Sequence, residues 1–167
     1  MKTIFAVFRE YEGASEAVDA LSQARQPDYR LNLIVEESVA KDWIADLDFN
    51  RAKVEKSAEA GEGKIRGLDA MLAGRQPVRV PDVGAVYSAG ELASMIAQTA
   101  AAPGATDSGL SSSLQGFGVP EETAKTYVDE INGGSALFIL RTEDERAPEA
   151  VRMLTDGGAL RVDSFPR

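Results

Sequence analysis

The sequence predicts an α+β domain: a ferredoxin-like βαββαβ plait with a four-stranded antiparallel sheet and a long, mostly helical insertion between the second and third strands. Three observations predict it. Residues 1–36 read as strand, helix, strand. Residues 134–167 read the same way. The segment between them, 37–133, is far longer than an ordinary connection and carries helical periodicity, so the 167 residues are expected to form a single domain with an inserted middle.

The first strand is the apolar, β-prone run over residues 3–9. Its hydrophobic stretch ends at Arg9 and Glu10, too short for a secretory leader. Over residues 12–25, Ala14, Ala17, Val18, Leu21 and Ala24 recur at helical spacing, and Pro27-Asp28 breaks the pattern. Leu31 to Val35 forms the second strand. In the second half, Ala136 to Arg141 is a strand and Pro148 suits the first turn of a helix. Ala150, Val151 and Leu154 are that helix's buried stripe, Gly157-Gly158 ends it, and Leu160 to Phe165 closes as a strand.

Inside the insertion, Val39, Trp43, Ile44 and Leu47 follow Ser38 as a short amphipathic helix. Residues 51–73 are helix-prone but interrupted at Gly61, Gly63 and Gly67. Pro77 and Pro81 bracket an extended Val78-Arg79-Val80. Residues 89–101 predict a helix around Leu92, Met95 and Ile96. Pro120 opens another, with Ala124, Tyr127, Val128 and Ile131 on one face and Gly133-Gly134 as its stop. The path of residues 74–118 does not follow from pattern.

Side chains alternate across a strand, so each face is read separately. Phe5 and Val7 oppose Ile4, Ala6 and Phe8. Leu137 and Ile139 oppose Ala136, Phe138 and Leu140. Both faces of both strands are apolar, and in a plait these strands are neighbours. Their second face must therefore be covered, by the insertion or by another subunit. On the subunit reading the chain is a homo-oligomer, with Phe8 and Ile139 as interface residues. The last strand alternates Arg161 and Asp163 with apolar residues, as a half-exposed edge does.

Composition narrows the chemistry. The chain has no cysteine and no histidine, which removes disulfides, thiolate nucleophiles, Cys/His zinc sites and a Ser-His-Asp triad. Eighteen Lys and Arg against 27 Asp and Glu give a formal charge of −9, which repels phosphate backbones and argues against a nucleic-acid partner. No window of about 18 uncharged apolar residues occurs, so no helix is expected to enter a bilayer integrally, and a cytoplasmic location follows as the expectation.

Three segments carry a family resemblance: the first strand–helix–strand, Leu114-Gln115-Gly116-Phe117-Gly118-Val119-Pro120-Glu121-Glu122-Thr123-Ala124, and Tyr127 to Leu140 with Gly133-Gly134. Val80-Pro81-Asp82-Val83-Gly84 and Ser88-Ala89-Gly90 add to it. The chain resembles the bacterial general stress (heat-induced stress) protein family. Membership implies a stress-associated role and supplies no catalytic residues. The chain departs from the family pattern in its middle, where Glu59, Glu62, Lys64, Arg66 and Asp69 surround the glycines.

Candidate chemistry is sparse. Asp42, Asp46 and Asp48 sit close together, but a solvated acidic face explains them without a metal. Gly61-Glu62-Gly63-Lys64 lacks the spacing of a phosphate loop. Glu36 and Glu37 are consecutive and diverge. Ser111-Ser112-Ser113 reads as loop or capping chemistry. No metal, cofactor or catalytic residue is assigned. The expected function is non-enzymatic, acting through self-association or through a protein partner that the sequence does not identify. The alternative is a small-molecule sensor or binding module, with a pocket between the sheet face and the insertion and with Trp43, Tyr87 and Phe138 as its lining.

Overall fold

The computed structural model describes residues 2–23, 30–43, 77–101 and 109–165. In chain order the elements are β1 (Lys2–Phe8), α1 (Tyr11–Gln23), β2 (Arg30–Glu36), α2 (Glu37–Trp43), β3 (Val78–Val80), β4 (Gly84–Ala89), α3 (Glu91–Ala100), α4 (Leu110–Gly116), α5 (Glu121–Asn132), β5 (Ala136–Thr142), α6 (Ala147–Asp156) and β6 (Arg161–Phe165).

The class is α+β, and the sheet corrects the expectation of four strands. It has six, in the order β3-β4-β2-β5-β1-β6, with every pairing antiparallel. The four expected strands lie side by side as β2-β5-β1-β6. The insertion, expected to be mostly helical, adds the β3–β4 hairpin alongside β2. Gly84 turns this hairpin at φ +115°, a conformation open to glycine.

β1 and β5 are neighbours, paired from Lys2↔Thr142 to Phe8↔Ala136. Their first face packs Ile4, Ala6, Phe8, Phe138 and Leu140 against α1 and α6, with Phe8 and Phe138 at 4.9 Å between ring centroids. Their second face packs Phe5, Val7, Leu137 and Ile139 against α3, α4 and α5. Phe5 stacks on Tyr127 at 5.3 Å and meets Phe165 edge-on at 5.6 Å. Both faces are therefore covered from within one chain. Phe8, 1 % exposed, and Ile139, 0 % exposed, lie on opposite faces of the interior. As interface residues they are corrected: neither offers surface to a second subunit. β6 has only β1 beside it, and its residues are half-buried or exposed, as an edge strand requires.

The helix signals act where the sequence puts them, with small shifts. α5 starts at Glu121, and Pro120 precedes it, its carbonyl accepting the Ala124 N–H at 2.8 Å. Glu121 and Glu122 occupy its first turn, where the helix dipole favours acids. Pro148 lies in the first turn of α6. Ser111-Ser112-Ser113, read as loop or capping chemistry, are helical in α4, and the Ser113 hydroxyl donates to the Ile96 carbonyl at 2.8 Å. The helix expected over 51–73, the Gly61–Lys64 segment, Asp46 and Asp48 lie outside the described residues.

Candidate functional site

The insertion helices are attached to the sheet by side chains that cap them from a distance. α3 begins after Gly90 and α4 after Gly109, and neither glycine has a side chain to satisfy the first-turn amides. For α3 the acceptor is Asn32, 3 % exposed on β2, whose Oδ1 receives the Ala93 N–H at 3.0 Å. For α4 it is Asp82 in the β3–β4 turn, which receives the Leu110 and Ser111 amides at 2.7 and 2.9 Å. A Cβ at Gly90 would stand 2.3 Å from Asn32 Oδ1, so the glycine is what lets the cap approach.

This attachment leaves a space. At the end of the second face, the β1–β5 register places Thr3 opposite Arg141, and the apolar surface of Phe5 and Ile139 gives way to polar groups. Between that end and α3 lies a cavity of about 420 Å³. Leu31 and Asn32 of β2 and Arg141 of β5 form its sheet side; Gly90, Glu91, Leu92 and Met95 form its helix side. Phe117, just beyond α4, closes part of it. A hollow of about 200 Å³ adjoins through Leu92, Phe117 and Arg141, and reaches Phe5 and Ile96. A volume of this order, walled about equally by polar and apolar groups, has room for a small ligand.

Polar side chains around this face differ in how they are engaged. Asn32 caps α3. Asp163 accepts the Tyr127 hydroxyl at 2.5 Å and the Arg161 Nε at 2.6 Å. Arg161 also stands over the Tyr127 ring at 5.9 Å. Burial, reinforced by the Asp163 carboxylate, drives the Tyr127 phenol well above its usual value, so this trio is a closed structural contact. Arg141, by contrast, is exposed and has no hydrogen-bond or ion-pair partner among the described residues. Met95, 50 % exposed, is one of two large exposed hydrophobic side chains among the described residues, and it borders the same cavity.

The residues expected to line a pocket lie elsewhere. Tyr87 and Phe138 are 3 % and 1 % exposed in the first-face core, and Trp43 packs against that core with its ring edge-on to Tyr11 at 6.2 Å. The structure groups the three on one side of the sheet, and the cavity is on the other. None of Trp43, Tyr87 and Phe138 is among the residues that line it. Arg141, Phe117 and Leu92 carried a sequence signal only as the polar end of a strand, a loop aromatic and a helix-face leucine.

Glu36 and Glu37 diverge into local contacts: Glu36 accepts the Ser38 amide at 3.2 Å and its hydroxyl, and Glu37 pairs with Lys41 at 3.3 Å. Among the described residues no group of three acidic side chains is arranged to hold a metal ion, and no helix is long and apolar enough to cross a membrane. In comparisons with known proteins, no family model, no curated protein and no solved structure matches the chain.

Proposed function

We propose that the chain is a small-molecule-binding module whose ligand enters the cavity between the second sheet face and α3. The observation that carries this reading is the Arg141 guanidinium, unpartnered among the described residues, in the wall of a cavity of about 420 Å³. The ligand's apolar part lies over Leu92, Phe117 and, through the adjoining hollow, Phe5 and Ile96. An anionic group on it meets Arg141, which offers a forked donor. Met95 gives the mouth a flexible, polarizable apolar contact.

Self-association drew its physical support from an apolar sheet face in need of cover. α3, α4 and α5 now provide that cover, so the cavity is the better-supported route to function.

Anilinonaphthalene sulfonate, an aromatic body with one anionic group, tests the reading. Its fluorescence should rise along a saturable one-site curve. Met95→Trp, which narrows the mouth at an exposed position, should weaken binding several-fold, and so should Arg141→Gln. An absent or unsaturable signal, or affinity indifferent to both substitutions, overturns the proposal.

A further inference from the structure

We infer that the ligand is a zwitterion, a molecule with one carboxylate and one ammonium group on an apolar body. The inference rests on the binding reading above and adds the ligand's charge pattern.

Two opposite charges border the cavity. Arg141 comes from β5 on the sheet side and Glu91 from the start of α3 on the helix side. They do not pair with each other, and neither has an ion-pair partner elsewhere among the described residues. A cation and an anion held apart on two walls of one space are complementary to a ligand that carries both charges. Such a ligand answers each, and a ligand with one charge leaves the other facing it unmatched or repelled.

The long-range field points the same way. The chain carries a formal charge of −9, so a simple anion approaches against repulsion, whereas a zwitterion carries no net charge. The remaining polar group of the sheet wall, Asn32, has its Oδ1 committed to the Ala93 amide, so discrimination falls to the two charged side chains. Leu92 and Phe117 line the same cavity and receive the apolar body of the ligand.

Calorimetric titration with three probes of one aromatic skeleton tests this: phenylalanine, phenylpropanoate and phenethylamine. Phenylalanine should bind about tenfold more tightly than either single-charge analogue. Arg141→Gln should abolish its advantage over phenethylamine, and Glu91→Gln its advantage over phenylpropanoate. Both positions are exposed, and circular dichroism verifies that each variant is folded. Phenylpropanoate or phenethylamine binding as tightly as phenylalanine overturns the zwitterion and leaves the binding module standing. So does the failure of all three while anilinonaphthalene sulfonate still saturates a Met95-sensitive site. Failure of all four probes removes both readings.

Discussion

The Asn32 side chain on β2 accepts the backbone N–H of Ala93 at 3.0 Å, across 61 residues of sequence. This one contact ties the insertion to a central strand at the floor of the cavity. Asn32→Ala leaves a buried amide without an acceptor and should cost about 1–3 kcal/mol, read as a lower urea midpoint at unchanged slope. Asn32→Asp keeps an acceptor oxygen but buries a carboxylate, so at neutral pH it should not restore the midpoint. Gly90→Ala places a methyl group against the same oxygen, in a backbone with φ +98°, and should be at least as damaging as Asn32→Ala. A midpoint unmoved by Asn32→Ala would show that the cap does not hold α3.

Asp82 performs the same task for α4 with both carboxylate oxygens, and its own carbonyl receives the Asn132 side-chain amide at 3.1 Å. The β3–β4 turn thereby joins the start of α4 to the end of α5. Asp82→Ala should cost about 1–2 kcal/mol. It should also speed hydrogen exchange selectively at the Leu110 and Ser111 amides. Asp82→Asn, with one acceptor oxygen, should fall between wild type and Ala. Uniform exchange throughout the chain would contradict a local cap.

Tyr127 stays protonated in the folded chain to a higher pH than in the unfolded one, because burial and the Asp163 contact disfavour the phenolate. As pH climbs past about 10, the unfolded state releases this proton first, so folding stability falls with rising pH there. Below that value both states hold the proton and the contribution is constant. Tyr127→Phe should flatten the alkaline loss of stability and cost about 1–3 kcal/mol at neutral pH through the missing hydrogen bond to a carboxylate. Spectrophotometric titration of the four tyrosines should show one fewer that ionises only on unfolding in Tyr127→Phe than in the wild type. If all four ionise together in the native state, the assignment fails.

What the sequence shows and what it conceals follow from range. β1, β2, β5 and β6 are legible because a strand's apolar alternation is local, and so are α1, α3, α5 and α6, whose stripes and stops lie within a few turns. The β3–β4 hairpin is legible only in part: Val78-Arg79-Val80 reads as extended, but β4 begins Gly84-Ala85, residues of low strand preference that pair with β3, and only Val86 to Ala89 meet β2. α4 conceals itself for a related reason, since Gly109 stands at its start and its first amides are received by Asp82, far upstream. The cavity is the extreme case. Leu31, Leu92, Phe117 and Arg141 converge from four separated segments, and no spacing rule joins them. Trp43, Tyr87 and Phe138 are conspicuous as aromatics, and the structure uses them for packing.

Ile139 and Phe8 decide between internal packing and an interface between subunits. Ile139 pairs with Phe5 on one side and Asn32 on the other, under the insertion helices; Phe8 is packed against Phe138 beneath α1 and α6. A carboxylate at either position would be buried without a counter-charge, a cost of several kcal/mol that rivals the whole stability of a domain. Ile139→Asp and Phe8→Asp should therefore abolish cooperative unfolding, whereas Ile139→Val should remain folded and lose about 0.5–1.5 kcal/mol. Light scattering combined with circular dichroism separates the cases. If an Asp variant gave a folded monomer from an oligomeric parent, these side chains would be meeting another chain, and the packing of both sheet faces from within one chain would be wrong.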